Sequence, residues 1–421
     1  MSNTKWLVLL CTSRIGFSLI FTVYAALLPV LMGAWRMSAA QAGLVQSAWH
    51  LGYLLSLFVA GLLTDRIGAR QTFLAMSIAA CASALLFAVA ANDFWSGLLL
   101  YLAAGLAAGG SYTPVLALIA QRYDASHRGT AMGWYLAAGS FGYALSLIAS
   151  AALTPWAGWR IALVLSAAGT MFGAVLGWFA MRGAREPPRP DCTQLPWLVS
   201  ARRLWRNKPA QLAIWSYSFH CWELLGMWAW LPAFLVAAAA PGGDISNGAL
   251  TVGVGIAGLT HLVAVLGSLS GGVLSDRIGR TQVILMMSCA SLVCSFAFGW
   301  MLGAPLWLIT AVAIVYNVTA IGDSSVFSTV LTETVPADQI GFAFSIRSVL
   351  GFGMGAVSPW VFGVVLDAVG NGHPSQHAWG LAWCSMGIGA LLGPWLTFRL
   401  QRHVASANLP RASAQVARAK L

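Results

Sequence analysis

The stretch Gly61-Leu-Leu-Thr-Asp65-Arg66-Ile-Gly68-Ala-Arg70-Gln71 returns later in the chain as Gly272-Val-Leu-Ser-Asp276-Arg277-Ile-Gly279-Arg280-Thr-Gln282. The two copies are in register and lie about half the chain apart. Each closes one long apolar run and opens the next. A charged hairpin between apolar runs, present twice, marks a duplicated bundle of membrane helices.

Composition agrees. Of 421 residues, 59% are hydrophobic and only 8% are charged. Soluble domains carry roughly 25% charged residues, so there are too few here to cover a water-facing surface. The net charge of +11 is explained by basic loops on one membrane face, and nucleic acid is not an expected partner. The seven cysteines lack metal-ligand spacing, and no disulfide framework, metal or cofactor is expected. Residues 6–32 are too long an apolar run for a signal peptide and contain Arg14, so an uncleaved first helix is expected.

Twelve spans are predicted at roughly 6–32, 40–63, 71–91, 95–121, 128–152, 159–181, 211–238, 248–273, 281–302, 305–332, 340–368 and 378–400. The expected units are an amino-terminal six-helix bundle (1–181), a linker (182–210), a carboxy-terminal six-helix bundle (211–400) and a basic disordered tail (401–421). In the linker, Trp197, Leu198, Leu204 and Trp205 interleave with Arg202, Arg203 and Arg206, which predicts a short amphipathic helix on the membrane surface. With both termini in the cytoplasm, only Arg36 and Arg160 among the loop arginines and lysines fall outside. The positive-inside rule therefore favours a multi-pass protein of a bacterial-style inner membrane with both termini cytoplasmic.

The repeated Gly-x-Leu-x-Asp-Arg-x-Gly pattern, between spans two and three and again between eight and nine, resembles that of the major facilitator superfamily. The first copy departs at Ala69, where a basic residue is usual, and the second at Thr281. The resemblance covers about residues 5–400. Gly129, Gly139 and Ser146 in span five also answer Gly341, Gly351 and Ser358 in span eleven. The resemblance implies an all-α membrane fold of two pseudo-symmetric six-helix bundles around a central cavity, working by alternating access. It also casts Asp65, Arg66, Asp276 and Arg277 as a gating latch. Glycine-rich faces let helix backbones approach in lipid and would mark the surfaces that rock.

Four ionisable residues stand clearly within spans: Arg14, Glu223, Asp323 and Arg347. Each is costly in lipid and so is a functional candidate. At about 1.5 Å per residue all four lie roughly 10–18 Å deep, which predicts one shared site. Arg14 and Arg347 are expected to hold a small organic anion, and Glu223 or Asp323 to carry a coupling proton. Asn317, Ser324 and Ser325 flank Asp323 and would add hydrogen bonds. His50 and His261 repeat with the fold and are candidate substrate contacts. Nitrate-type members of the superfamily carry arginine on those two helices, so histidine there argues against a nitrate porter. His220 and Glu223, three residues apart, share a helix face as a possible metal pair, although no further ligands cluster there. Pro114 and Pro359 are expected kinks.

The chain has no phosphate-binding Gly-x-x-x-x-Gly-Lys motif, and its lysines are only Lys5, Lys208 and Lys420. Ser146-Leu147 replaces the Gly-Pro of drug antiporters, although Gly133 and Gly142 fit that pattern. The reading is a secondary active transporter, not an enzyme. Its partners would be a small-molecule anion, protons and the bilayer, and it is expected to be monomeric. The alternative is a proton-driven exporter of amphipathic cations or drugs, with Glu223, Asp323 and tryptophans as holders.

Overall fold

A computed structural model describes residues 2–182, 197–240, 245–336, 339–370 and 375–404. Among these there is no strand, and twelve helices are long and apolar enough to cross a membrane. They are α1 (Asn3–Ala34), α2 (Ala39–Ile67), α3 (Ala69–Ala90), α4 (Phe94–Arg122), α5 (His127–Ala157), α6 (Trp159–Met181), α7 (Lys208–Ala238), α8 (Asn247–Ile278), α9 (Arg280–Met301), α10 (Leu306–Thr334), α11 (Ile340–Gly370) and α12 (Gln376–Val404). All twelve predicted spans are present, and most run a few residues further than periodicity suggested. Large apolar side chains such as Ile78, Leu266 and Trp307 stay exposed on the outer faces, as helices bathed in lipid require.

The repeated motif makes two one-residue turns. Gly68 separates α2 from α3 at φ 92°, and Gly279 separates α8 from α9 at φ 103°. These are backbone conformations that a side chain strains, which is why glycine recurs there. Serine caps start several helices at the opposite end: Ser38 on α2 with Gln41 completing a capping box, Ser246 on α8 and Ser375 on α12.

Two spans are broken at equivalent places. A 3-10 turn at Gly109–Ser111 interrupts α4 and ends at Tyr112, just before Pro114 restarts the helix. Asp323 interrupts α10. Tyr112 and Asp323 are counterparts in the repeat. Sequence reading anticipated a kink at Pro114 but not the break at Asp323. At that break Gly322 lies backbone to backbone on Gly271 of α8. By contrast, α11 continues through Pro359 as one helix.

The linker helix forms over Trp197–Arg206. Leu204 is buried with Ala210, Ile214, Leu331 and Ala343, while Trp197, Leu198 and Trp205 remain exposed. Leu204 therefore docks on protein and Trp197 edges against Phe342 at 6.4 Å, where the whole apolar face was expected in lipid. Residues 183–196 and most of the expected tail lie outside the described residues, and residues 401–404 continue α12 as helix.

Within the first six spans α1 packs on α5 and α6, and α2 on α4; within the last six α7 packs on α11, and α8 on α10. The halves meet mainly through α2 with α11, α5 with α8, and α1 with α7. The first two contacts are tight at the end opposite the repeated motif. Both carboxylate oxygens of Asp367 on α11 accept backbone N–H groups at the start of α2, from Ala39 at 2.9 Å and Ala40 at 2.7 Å. Beside this cap, Gly43 rests on the Pro359 carbonyl and Gly363 on that of Ala39. Across the molecule, Asn247 donates to the Pro155 carbonyl at 3.3 Å and Thr251 to that of Ala151 at 3.3 Å. At the motif end, Gly129, Gly133 and Gly341 have open space where a Cβ would stand. The halves are thus closed at one end and apart at the other.

Two outcomes follow from this packing. A carboxylate accepting two amides at a helix N-terminus contributes about 1.5–3 kcal/mol. Asp367→Ala is expected to shift the population toward an opened far end by about tenfold or more, at about 1.4 kcal/mol per decade. Distances between spin labels at positions 38 and 246 would register the shift; an unchanged distance distribution would refute it. Gly271→Ala drives a methyl group into the Gly322 carbonyl and is expected to cost about 1–3 kcal/mol, read as a lower melting temperature in detergent.

Candidate functional site

The separated ends enclose a cavity of about 370 Å³ lined by both halves. From the first half it receives Arg14 and Phe21 of α1, Tyr53 of α2, Tyr112 of α4 and Tyr143 of α5. From the second it receives Tyr217, Cys221 and Trp228 of α7, Ser324 and Ser328 of α10, and Arg347 and Phe352 of α11.

Arg14 is 7% exposed. Its Nη1 donates to Ser111 Oγ at 2.9 Å, a group delivered by the broken turn of α4, and its guanidinium lies over the Tyr112 and Tyr135 rings at 5.3 and 5.8 Å. Tyr135 donates its hydroxyl to the Ser111 carbonyl and so steadies that turn. Arg347 is held in the same manner. Its Nη1 donates to Ser328 Oγ at 2.8 Å, and its guanidinium lies over Tyr217 and Phe344 at 4.4 and 4.5 Å. The Nε of each arginine has no hydrogen-bond partner. Neither arginine pairs with an acid. Rings and hydroxyls orient both cations without neutralising them.

The expectation that four charges meet at one site needs correction. Glu223 is not on the cavity wall. Its two oxygens accept from Ser291 at 3.0 Å and Ser295 at 2.6 Å on α9, and Ser295 also bonds the Tyr316 hydroxyl. The reason is angular. Tyr217, Cys221, Leu224, Leu225 and Trp228 line the cavity from one face of α7. At 100° per residue, roughly, Glu223 points to the back of that helix. Asp323, 1% exposed, also stands behind the wall, 3.0 Å from Nδ1 of His220. The contact is within ion-pair range but off the hydrogen-bond direction, and that carboxylate oxygen has no aligned donor. Nε2 of the same imidazole meets Ser324 Oγ at 2.8 Å. His220 therefore partners Asp323 rather than Glu223, and no metal-sized cluster of ligands occurs among the described residues.

His50, His261 and Asn317 are also absent from the wall. Phe21, Tyr143 and Trp228 close the cavity toward the far end, with Phe21–Tyr143 centroids 4.4 Å apart and Phe21–Trp228 6.0 Å apart. His50 lies behind Phe21 at 5.8 Å and His261 behind Trp228 at 5.2 Å. Here the histidines sit one layer too deep, beyond an aromatic lid. Asn317 accepts from Trp228 Nε1 at 3.0 Å and donates to Thr260 at 3.0 Å, so it fixes the lid's indole. Of the expected substrate contacts, Arg14, Arg347, Ser324 and Ser325 line the cavity.

At the motif end, Asp65, Arg66, Asp276 and Arg277 are exposed. Asp276 pairs with Arg280, which also meets Glu333 at 3.2 Å and Ser275 at 2.8 Å, all within the second half. The first copy has Ala69 where the second has Arg280, so Asp65 lacks that partner. The signals that sequence reading missed are Asp367 and the lining tyrosines, which no motif distinguishes from other aromatic residues in lipid-facing helices.

Comparison with known proteins places this geometry. A family model described as Major Facilitator Superfamily matches residues 10–359. The chain is 24% identical over 352 residues to a probable 4-methylmuconolactone transporter of Cupriavidus pinatubonensis, covering 79% of this chain and 77% of the relative. It is 25% identical over 407 residues to a probable sulfoacetate transporter of Cupriavidus necator, covering 88% and 89%. It is 27% identical over 343 residues to a probable nitrate/nitrite transporter of Mycobacterium tuberculosis, covering 80% and 82%. Among solved structures, a D-xylose-proton symporter superposes with TM-score 0.76 at 13% identity, covering 95% of this chain and 98% of that one. The nucleoside transporter NupG superposes with TM-score 0.74 at 15% identity, covering 95% and 99%. The twelve-helix fold, its internal repeat and this match establish that the chain belongs to the major facilitator superfamily and is a secondary transporter, not an enzyme.

Proposed function

We propose that this transporter moves a small organic anion, coupled to protons, by alternating access. The observation that carries this reading is the pair of uncompensated guanidinium groups, Arg14 and Arg347, on opposite walls of one cavity. Arg14 is buried and Arg347 half-buried, and a cation withdrawn within the membrane's depth without a counter-charge is costly; an anionic cargo would supply the missing charge. Each arginine contributes planar donors suited to a carboxylate or sulfonate, and the rings between them suit an apolar body. Relatives named for sulfoacetate and for nitrate/nitrite are named for anions. The nitrate reading is the weaker of these, because this chain has His50 and His261 where arginines are expected for that cargo.

With the motif end at the cytoplasm, as its basic loops favour, the conformation described is open inward. Asp65, Arg66, Asp276 and Arg277 would then be the latch released in this state, re-forming when the cavity opens outward. Glu223 and Asp323 are the buried acids available for the proton. The alternative, export of amphipathic cations, requires acids facing the cargo. Among the described residues the wall contains no aspartate or glutamate, which disfavours it.

Arg14→Ala and Arg347→Ala are each expected to weaken anion binding by about tenfold or more, the worth of a charge-assisted hydrogen bond of about 1.5–3 kcal/mol. Lysine at either position restores the charge but not the fork and should recover only part. A thermal-shift screen of carboxylates and sulfonates, followed by binding isotherms on the variants, measures this; cation export that survives both alanine variants would instead support the alternative. An inward proton gradient imposed on proteoliposomes is expected to drive anion accumulation, and gradient-independent flux would reject the coupling.

A further inference from the structure

Asp323, His220 and Ser324 form a chain of close polar contacts from a fully buried carboxylate to the cavity wall. We infer that these contacts are the proton path of the transporter, with Asp323 as the loading site, His220 as the relay and Ser324 as the cavity terminal. The inference rests on the proton-coupled reading and deepens it. Three observations carry it. Asp323 is 1% exposed, and one of its oxygens has no aligned hydrogen-bond donor. The imidazole of His220 stands between that oxygen, 3.0 Å from Nδ1, and Ser324 Oγ, 2.8 Å from Nε2. Ser324 lines the cavity and neither of the other two does.

The other titratable groups around the imidazole are Tyr217, Cys221 and Glu223 on its own helix, and Arg347 on α11. Tyr217 stacks on the imidazole at 5.6 Å and Phe327 of α10 packs against it at 5.4 Å, the two rings also meeting each other at 5.7 Å, and the polar contact of the imidazole on the cavity side is Ser324. Glu223 instead faces the serines of α9.

The transfer balances without a co-reactant. With His220 neutral and its hydrogen on Nδ1, a proton arriving from cavity water binds Ser324 Oγ. The serine's own hydrogen passes to Nε2, and, once a small rotation of the imidazole aligns Nδ1–H with the carboxylate 3.0 Å away, the Nδ1 hydrogen passes to Asp323. The carboxyl ends neutral and the imidazole ends neutral as the other tautomer. Release runs the same steps backward. Because the cavity opens alternately to each side, one path loads on one face and unloads on the other.

The test needs no identified cargo. A pH jump on the purified full chain, followed by time-resolved infrared spectroscopy, should show a protonated-carboxyl band that is lost in Asp323→Asn and kept in Glu223→Gln. In His220→Gln the band should reach its full amplitude but rise slower by about tenfold or more. Ser324→Ala should slow it likewise, which serves if the histidine variant does not fold. Imidazole added to His220→Gly should restore the rate. Loading at the wild-type rate in folded His220→Gln or Ser324→Ala, or a band that survives Asp323→Asn, overturns the relay. Proteoliposome uptake of sulfoacetate under a proton gradient separates the two claims. Gradient-driven uptake with unslowed His220→Gln loading rejects the relay alone. Slowed loading without gradient-driven uptake of any anion in the screen rejects the coupling alone.

Discussion

One carboxylate and a few glycines make the seam that closes one face of this molecule. Asp367 takes two backbone amides at the start of α2, where the helix presents unsatisfied donors and the positive end of its dipole. Gly43 and Gly363 let α2 and α11 touch backbone to backbone beside it. A side chain at either glycine would hold the halves apart. With this seam and the α5–α8 contact formed, the two halves splay at the motif end, and the cavity, its two cations and its lid all take their places from that geometry.

The charge arrangement inside follows a division of labour. Both arginines face the cavity and are oriented by tyrosine rings and serine hydroxyls, which cost no neutralising charge. Both acids are withdrawn behind the wall, each with its own partners in the second half. Had the acids paired with the arginines, the charge on the cavity wall would be largely cancelled. Separation leaves the cavity wall with a positive charge and an acid within one imidazole of the same space. The broken turn before Tyr112 brings Ser111 to Arg14, and the break at Asp323 sets that acid beside His220 while Ser324 reaches the wall.

The duplicated motif illustrates how a local departure becomes a structural asymmetry. Gly68 and Gly279 make the same turn, as the repeat requires. Arg280 then ties Asp276 to Glu333, whereas Ala69 leaves Asp65 without that tie. The two halves are alike in backbone and unlike in how firmly their loops are held.

Fold class, span count and the family were legible in the residues, because a bilayer tolerates few solutions: length, apolarity and repeated turn chemistry suffice. Arg14 and Arg347 were legible too, since charge within a span stands out wherever it occurs. The identity of the residues each charged group faces was not. Glu223 and Cys221 are two positions apart yet point to opposite sides of one helix, and His50 and Tyr53 share a face yet lie on different sides of an aromatic layer. Depth and charge are properties of one helix and can be counted along the chain. Partnership depends on rotation, on breaks and on which helix packs alongside, and those are settled only when all twelve are assembled.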